Sequence, residues 1–119
     1  MTENNKKTAS PALNRVIHEP ARLQIVSYLA AGGREVSFTE LSEKLGLSAG
    51  NLSVQLKRLE EAGYLSITKS FRENRPLTCV TLTRPGMKAL KNYLQELELM
   101  IERLKDAMPR QGSDGGETV

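Results

Sequence analysis

One stretch, Ser48 to Gly63 (SAGNLSVQLKRLEEAG), limits what this chain can fold into more than any other. Wound as a helix, it places Leu52, Leu56 and Leu59 on one face, with Ala49, Ala62 and Gly63 beside them. Gly50, Asn51, Ser53, Val54, Lys57 and Arg58 fall on the opposite face, which is small, polar and basic. A helix that met only solvent would more often alternate Glu and Lys there, whereas this one keeps its acids, Glu60 and Glu61, for its last turn. The leucine face requires a core. The other face has no structural duty and suits a negatively charged partner.

The residues ahead of it supply part of that core. Leu13, Val16 and Ile17 can line a short opening helix that ends near His18, and Glu19-Pro20 then starts ARLQIVSYLAAGG, with proline suited to a first helical turn. Leu23, Ile25, Val26 and Leu29 give this second helix a broad apolar stripe, and Gly32-Gly33 stop it. Glu35 to Phe38 reads as a very short extended piece. Ser37 to Glu40 has the S-x-x-E form of a capping box, opening a helix that buries Leu41 and Leu45 and ends at Gly46. Ser48 can then cap the next helix. Two short amphipathic helices joined by a tight glycine turn form a helix-turn-helix.

Beyond Gly63 the pattern becomes extended. YLSITKSF alternates, with Leu65, Ile67 and Phe71 on one side and Ser66, Thr68 and Ser70 on the other, and LTCVTLT is rich in β-branched residues. Arg72 to Pro76 (RENRP) is expected at the hairpin tip. The tip is either a charged, solvated loop or a reach toward DNA in which Arg75, Arg72 and Lys69 meet phosphates or the minor groove.

The last long segment carries a second pattern. Met87, Leu90, Leu94, Leu97, Ile101, Leu104 and Met108 are spaced by alternating steps of three and four, a heptad seam. Thr83 can cap this helix and Pro85 fits its first turn. The seam either folds back on the domain, packs against the opening helix, or is shared with a second copy. Sharing is favoured, because the outer turns would otherwise hold apolar residues in water.

Composition narrows the function further. The chain has 119 residues, room for one modest core, and a net charge of +3. That charge is uneven: residues 50–91 hold eight Lys/Arg against three Asp/Glu, while residues 92–119 hold three against six. With no long apolar run and no signal-peptide pattern, the expected location is cytoplasmic, with no membrane partner. The single cysteine, Cys79, and single histidine, His18, leave no zinc set, and no paired carboxylates, activated nucleophile or phosphate loop is visible. No enzyme activity, metal or cofactor is expected. Residues 1–9 and 109–119 read as disordered tails around a domain at 10–84 and a dimerisation helix at 85–108.

LSEKLGLSAGNLSVQLKRLEEAGYL, the hairpin SFRENRPLT and the closing LTRPG together resemble the winged helix-turn-helix regulators of the MarR and ArsR type, above all their short single-domain members. The resemblance spans Leu13 to Leu90, including HEPARLQIVSYLA. It implies a mainly α fold with a small β-hairpin (α+β) and sequence-specific binding of double-stranded DNA as a homodimer. The recognition helix 48–62 would enter the major groove, and the wing 69–77 would meet the minor groove or backbone. Phosphate contacts are expected from Lys57, Arg58, Lys69, Arg72 and Arg75, and base reading from Gly50, Asn51, Ser53 and Val54 beside the cap Ser48. TELSEKLG has neither Cys nor His, so the metal sensing of some ArsR relatives does not carry over. Asn74 stands where MarR-type wings commonly have aspartate. A repressor is the simplest regulator, a small-molecule effector stays open, and the alternative is a winged-helix module that binds an acidic protein.

Overall fold

A computed structural model describes residues 13–109. The expected tails at 1–9 and 109–119 lie outside the described residues, apart from Pro109. Among the described residues seven elements follow in order: α1 (Pro20–Gly32), β1 (Val36–Ser37), α2 (Phe38–Leu45), α3 (Ala49–Glu61), β2 (Leu65–Arg72), β3 (Arg75–Leu82) and α4 (Arg84–Ala107). They make a winged-helix α+β fold with a long C-terminal helix.

Each helix boundary has a local chemical cause. Glu19 caps α1 by accepting from the Arg22 N–H at 2.8 Å, and Pro20 occupies the first turn, where its missing N–H costs nothing. Ser37 caps α2, its hydroxyl accepting from the Glu40 N–H at 3.1 Å. The capping box is half made. The Glu40 carboxylate turns away from Ser37 and accepts from the Tyr28 hydroxyl at 2.6 Å and from Arg34 Nη2 at 2.7 Å. Arg34, with help from Tyr28, holds the Glu40 carboxyl below its usual range, and donation to Glu40 pushes the Tyr28 phenol up. This cluster ties α1 to the start of α2.

Gly46, at φ 68°, ends α2 in the left-handed region that favours glycine, and Ser48 caps α3 by accepting from the Asn51 N–H at 3.1 Å. Ser42 closes the turn between these helices, donating its hydroxyl to the Leu47 carbonyl at 2.7 Å. The opening segment departs from expectation. Residues 15–18 form a single turn in place of the short helix, closed by His18 N–H to the Asn14 carbonyl at 2.8 Å and capped by Asn14 Oδ1, which accepts from Val16 and Ile17; it goes no further because Glu19, before Pro20, is extended and proline has no N–H to donate.

The sheet has the order β1-β3-β2 and is antiparallel throughout. Val36 pairs with Val80, so the short extended piece becomes the third strand. In the hairpin, Arg72 pairs with Arg75 across a two-residue turn, Glu73-Asn74, both with positive φ (52° and 66°). That is the geometry of a type I′ turn, whose twist matches the strands. The tip is therefore narrower than the five-residue loop expected, and Pro76 is a strand residue opposite Phe71. Proline is tolerated there: next to a closing hydrogen-bonded pair its nitrogen points away from β2, and β1 reaches only Cys79 and Val80.

Residues Asn14–Tyr93 form one compact unit, which includes the start of α4. Its core is Ile17, Ile25, Val26, Leu29, Val36, Leu41, Leu52, Leu56, Leu59, Leu65, Val80, Leu90 and Tyr93, all buried. The junction from α3 to α4 is tight. The Thr83 N–H donates to the Tyr64 carbonyl at 3.0 Å, and the Thr83 hydroxyl donates to the Gly63 carbonyl at 2.7 Å while accepting from the Gly86 N–H at 3.0 Å. A Cβ on Gly86 would lie 2.1 Å from the Tyr64 carbonyl oxygen and 2.7 Å from Leu82 Cδ1. Only glycine fits without moving backbone. Gly86→Ala is predicted to cost about 1–3 kcal/mol of unfolding free energy, measured by urea titration; an unchanged midpoint would contradict this close approach.

The remaining described residues, from Leu94 on, continue α4 to Ala107. Leu94, Leu99, Ile101, Leu104 and Met108 are exposed there.

Candidate nucleic-acid interface

The inner face of α3 is fixed by Leu52, Leu56 and Leu59, all buried. Its axis lies against α1 and β2. Helical periodicity then leaves Ser48, Gly50, Asn51, Ser53, Val54, Lys57 and Arg58 exposed, and the structure leaves all of them so. Val54, 51% exposed near the middle of this face, is the one large apolar side chain on it. Ala49, Ala62 and Gly63, expected beside the leucines, are exposed as well. The buried stripe is narrower than expected, and the open face correspondingly wider.

A hydrogen-bond relay runs to this face from behind. Arg22 Nε donates to the Val16 carbonyl at 2.6 Å, Arg22 Nη1 to Gln55 Oε1 at 2.7 Å, and Gln55 Nε2 to Asn51 Oδ1 at 3.0 Å. The direction is set by Arg22, which can only donate. Gln55 must therefore present its amide N–H to Asn51, which leaves the Asn51 amide N–H groups and one Oδ1 lone pair facing outward. Sequence reasoning missed both Arg22 and Gln55. Gln55 sits four residues after Asn51, a readable helical spacing, but nothing local links Arg22 to it across 33 residues.

Between α3 and the hairpin runs an open groove of about 730 Å³. Phe38, Leu56 and Ile67 are its apolar lining, Ser53 and Thr78 bring hydroxyls, and Lys57 and Lys69 stand on its two walls with Glu60 as the acid. Strand alternation separates the basic residues of the wing. Lys69 shares a face with Leu65 and Ile67 and lines the groove, whereas Arg72 and Arg75, paired with each other, belong to the other face at the tip. All three are exposed.

The seam residues divide in two. Leu90 is buried in the Asn14–Tyr93 unit, and Met87 borders a hollow of about 310 Å³ with Leu29 and Leu82. Tyr93, outside the heptad positions, is also buried and bonds His18 Nδ1 through its hydroxyl at 2.9 Å, which makes His18 a packing residue. Leu94, Ile101, Leu104 and Met108 are exposed and Leu97 is half-buried. Among the described residues no helix is long and apolar enough to cross a membrane, and no group of His, Cys, Asp and Glu is placed to hold a metal.

A helix-turn-helix with an open basic face, followed by a paired wing, defines a winged-helix DNA-binding protein. Residues 21–101 match the family model described as a winged helix DNA-binding domain, and the chain belongs to that family. It is 36% identical over 83 residues to an uncharacterised protein of Methanocaldococcus jannaschii, covering 70% of this chain and 89% of that one. Among solved structures, a transcriptional regulator homologue of Pyrococcus horikoshii is 30% identical, with a TM-score of 0.70 over 87% of this chain and 98% of its own. A transcriptional regulator of Thermotoga maritima is 26% identical, with a TM-score of 0.57 over 81% of this chain and 66% of its own. These likenesses, with the site geometry, make the chain a DNA-binding regulator.

Proposed function

We propose that this protein is a MarR/ArsR-type repressor that binds a palindromic or pseudo-palindromic site on double-stranded DNA as a two-fold homodimer inside the cell. The observation that carries the reading is the outer face of α3: exposed, basic, without acids until Glu60, and held rigidly by capping and buried leucines. Placed in the major groove, it would read bases through Gly50, Asn51, Ser53 and Val54. Asn51, with its outward amide, suits adenine, and Val54 suits a thymine methyl. Lys57, Arg58, Lys69, Arg72 and Arg75 would fix the register on phosphates without reading sequence.

The partner copy follows from the exposed outer half of α4. Leu94, Ile101, Leu104 and Met108 continue a heptad whose first members are already covered by their own fold, and Leu97 completes the stripe. A second copy related by a two-fold axis would cover it. Two recognition helices could then enter successive major grooves about 34 Å apart. Repression is then the simplest outcome, because a bound dimer occupies DNA that polymerase needs.

Two substitutions test the two halves of this reading. Arg75→Ala is predicted to weaken duplex binding several-fold with the unfolding midpoint unchanged, because the side chain sits at an exposed tip; anisotropy titration giving unchanged affinity would remove the wing from the account. Ile101→Glu would bury a carboxylate in the shared seam and is predicted to give monomers by sedimentation. Dimers of this variant would show that the seam is not the interface.

A further inference from the structure

Phe71 is one of two phenylalanines in the chain, and it stands 74% exposed. Across the hairpin it faces Pro76, also exposed, so ring and pyrrolidine form an apolar surface next to the wing tip that contributes nothing to the core. Its place is fixed by the ladder. The type I′ turn closes at the next residue, Arg72, and there is no loose loop that could fold the ring back.

Strand alternation gives the ring a direction. Leu65, Ile67, Lys69 and Phe71 share one face of β2, and this face lines the groove opposite α3. Along it, core gives way to a cation and then to the aromatic ring. The hairpin around it is basic: Lys69 precedes Phe71 on the same face, and Arg72 and Arg75 extend from the other face at the tip, with Glu73 in the turn as its one acid. An apolar ring beside a cation on its own face, with two more at the tip, matches a surface that is itself an apolar wall edged with anions.

Duplex DNA has such a surface in its minor groove, where the deoxyribose C–H faces lie inside the phosphate rows. We propose that Phe71, backed by Pro76, is a minor-groove contact residue that packs on the sugars of the strand lying in the groove between α3 and the wing. The proposal rests on the DNA-binding reading above and adds to it an apolar, salt-independent contribution from the wing. Lys69 and Lys57 neutralise the phosphates of the strand whose sugars the ring covers.

The test is a titration of the full chain with a fluorescein-labelled mixed-sequence duplex over a series of salt concentrations. Removing an apolar contact lowers affinity equally at every salt, whereas removing a phosphate contact flattens the plot of log K against log salt by about 0.9. Phe71→Ala is expected to lose about fivefold or more in affinity with the slope unchanged, and Phe71→Leu to recover much of the loss. Arg75→Ala, run in parallel, is expected to flatten the slope. Thermal unfolding of both Phe71 variants should match the unsubstituted protein, since the ring supports no core. Unchanged affinity in Phe71→Ala, or a flattened slope like that of Arg75→Ala, overturns the proposal. So does unchanged affinity with lost self-association, which would make the ring an interface between copies. Failure of the unsubstituted protein to bind at low salt overturns the DNA-binding reading itself, and this proposal with it.

Discussion

Burial of Leu52, Leu56 and Leu59 beneath α3 is the constraint on which the rest of the molecule depends. Each buried leucine is worth about 1.5–3 kcal/mol relative to an exposed one, so together they outweigh any interaction the opposite face could make with water. Their spacing sets the rotation of the helix about its axis. Once that rotation is set, Asn51, Val54 and Arg58 must point outward, and the interface is a consequence of the core rather than an addition to it. The same core accepts Leu65 and Val80 from the wing, which places the hairpin beside the helix at a defined distance.

The backbone junction at Tyr64, Thr83 and Gly86 does for the wing what the leucines do for the helix. Thr83 is bonded to both Gly63 and Tyr64, and Gly86 lets α4 begin against the Tyr64 carbonyl. The end of the recognition helix, the base of the wing and the start of the long helix are therefore held at one point. Arg22 adds a second tie, from α1 through Gln55 to Asn51, so a side chain proposed to read a base is oriented before any DNA arrives. Such preorganisation reduces what ordering would cost on binding.

The parts of the fold governed by neighbours in sequence were legible there. Ser37, Gly46, Ser48 and the glycines at the end of α1 announce helix boundaries because their chemistry acts within a few residues. Alternation from Leu65 to Ile67 announced a strand, but not where burial stops along it. Phe71 continues the apolar pattern yet is exposed, because burial along β2 is confined to its first residues. The opening segment stops after one turn because Glu19, the residue before Pro20, is extended and proline has no N–H to continue a helix. The heptad of α4 was readable as a period, but not its division between the chain's own core, up to Tyr93, and the exposed turns beyond. The Arg22–Gln55 bond and the need for glycine at 86 depend on chain segments that meet only after folding.

On the proposed reading, the open face of α3 and the wing meet the phosphates of duplex DNA. That reading is tested most directly by the salt dependence of duplex binding by the unsubstituted protein, from low to physiological ionic strength. Five basic residues on each copy predict tight binding at low salt and a linear fall of log K with log salt, with a slope of several units for a dimer. Absence of binding at low salt, or binding that does not respond to salt, would contradict it.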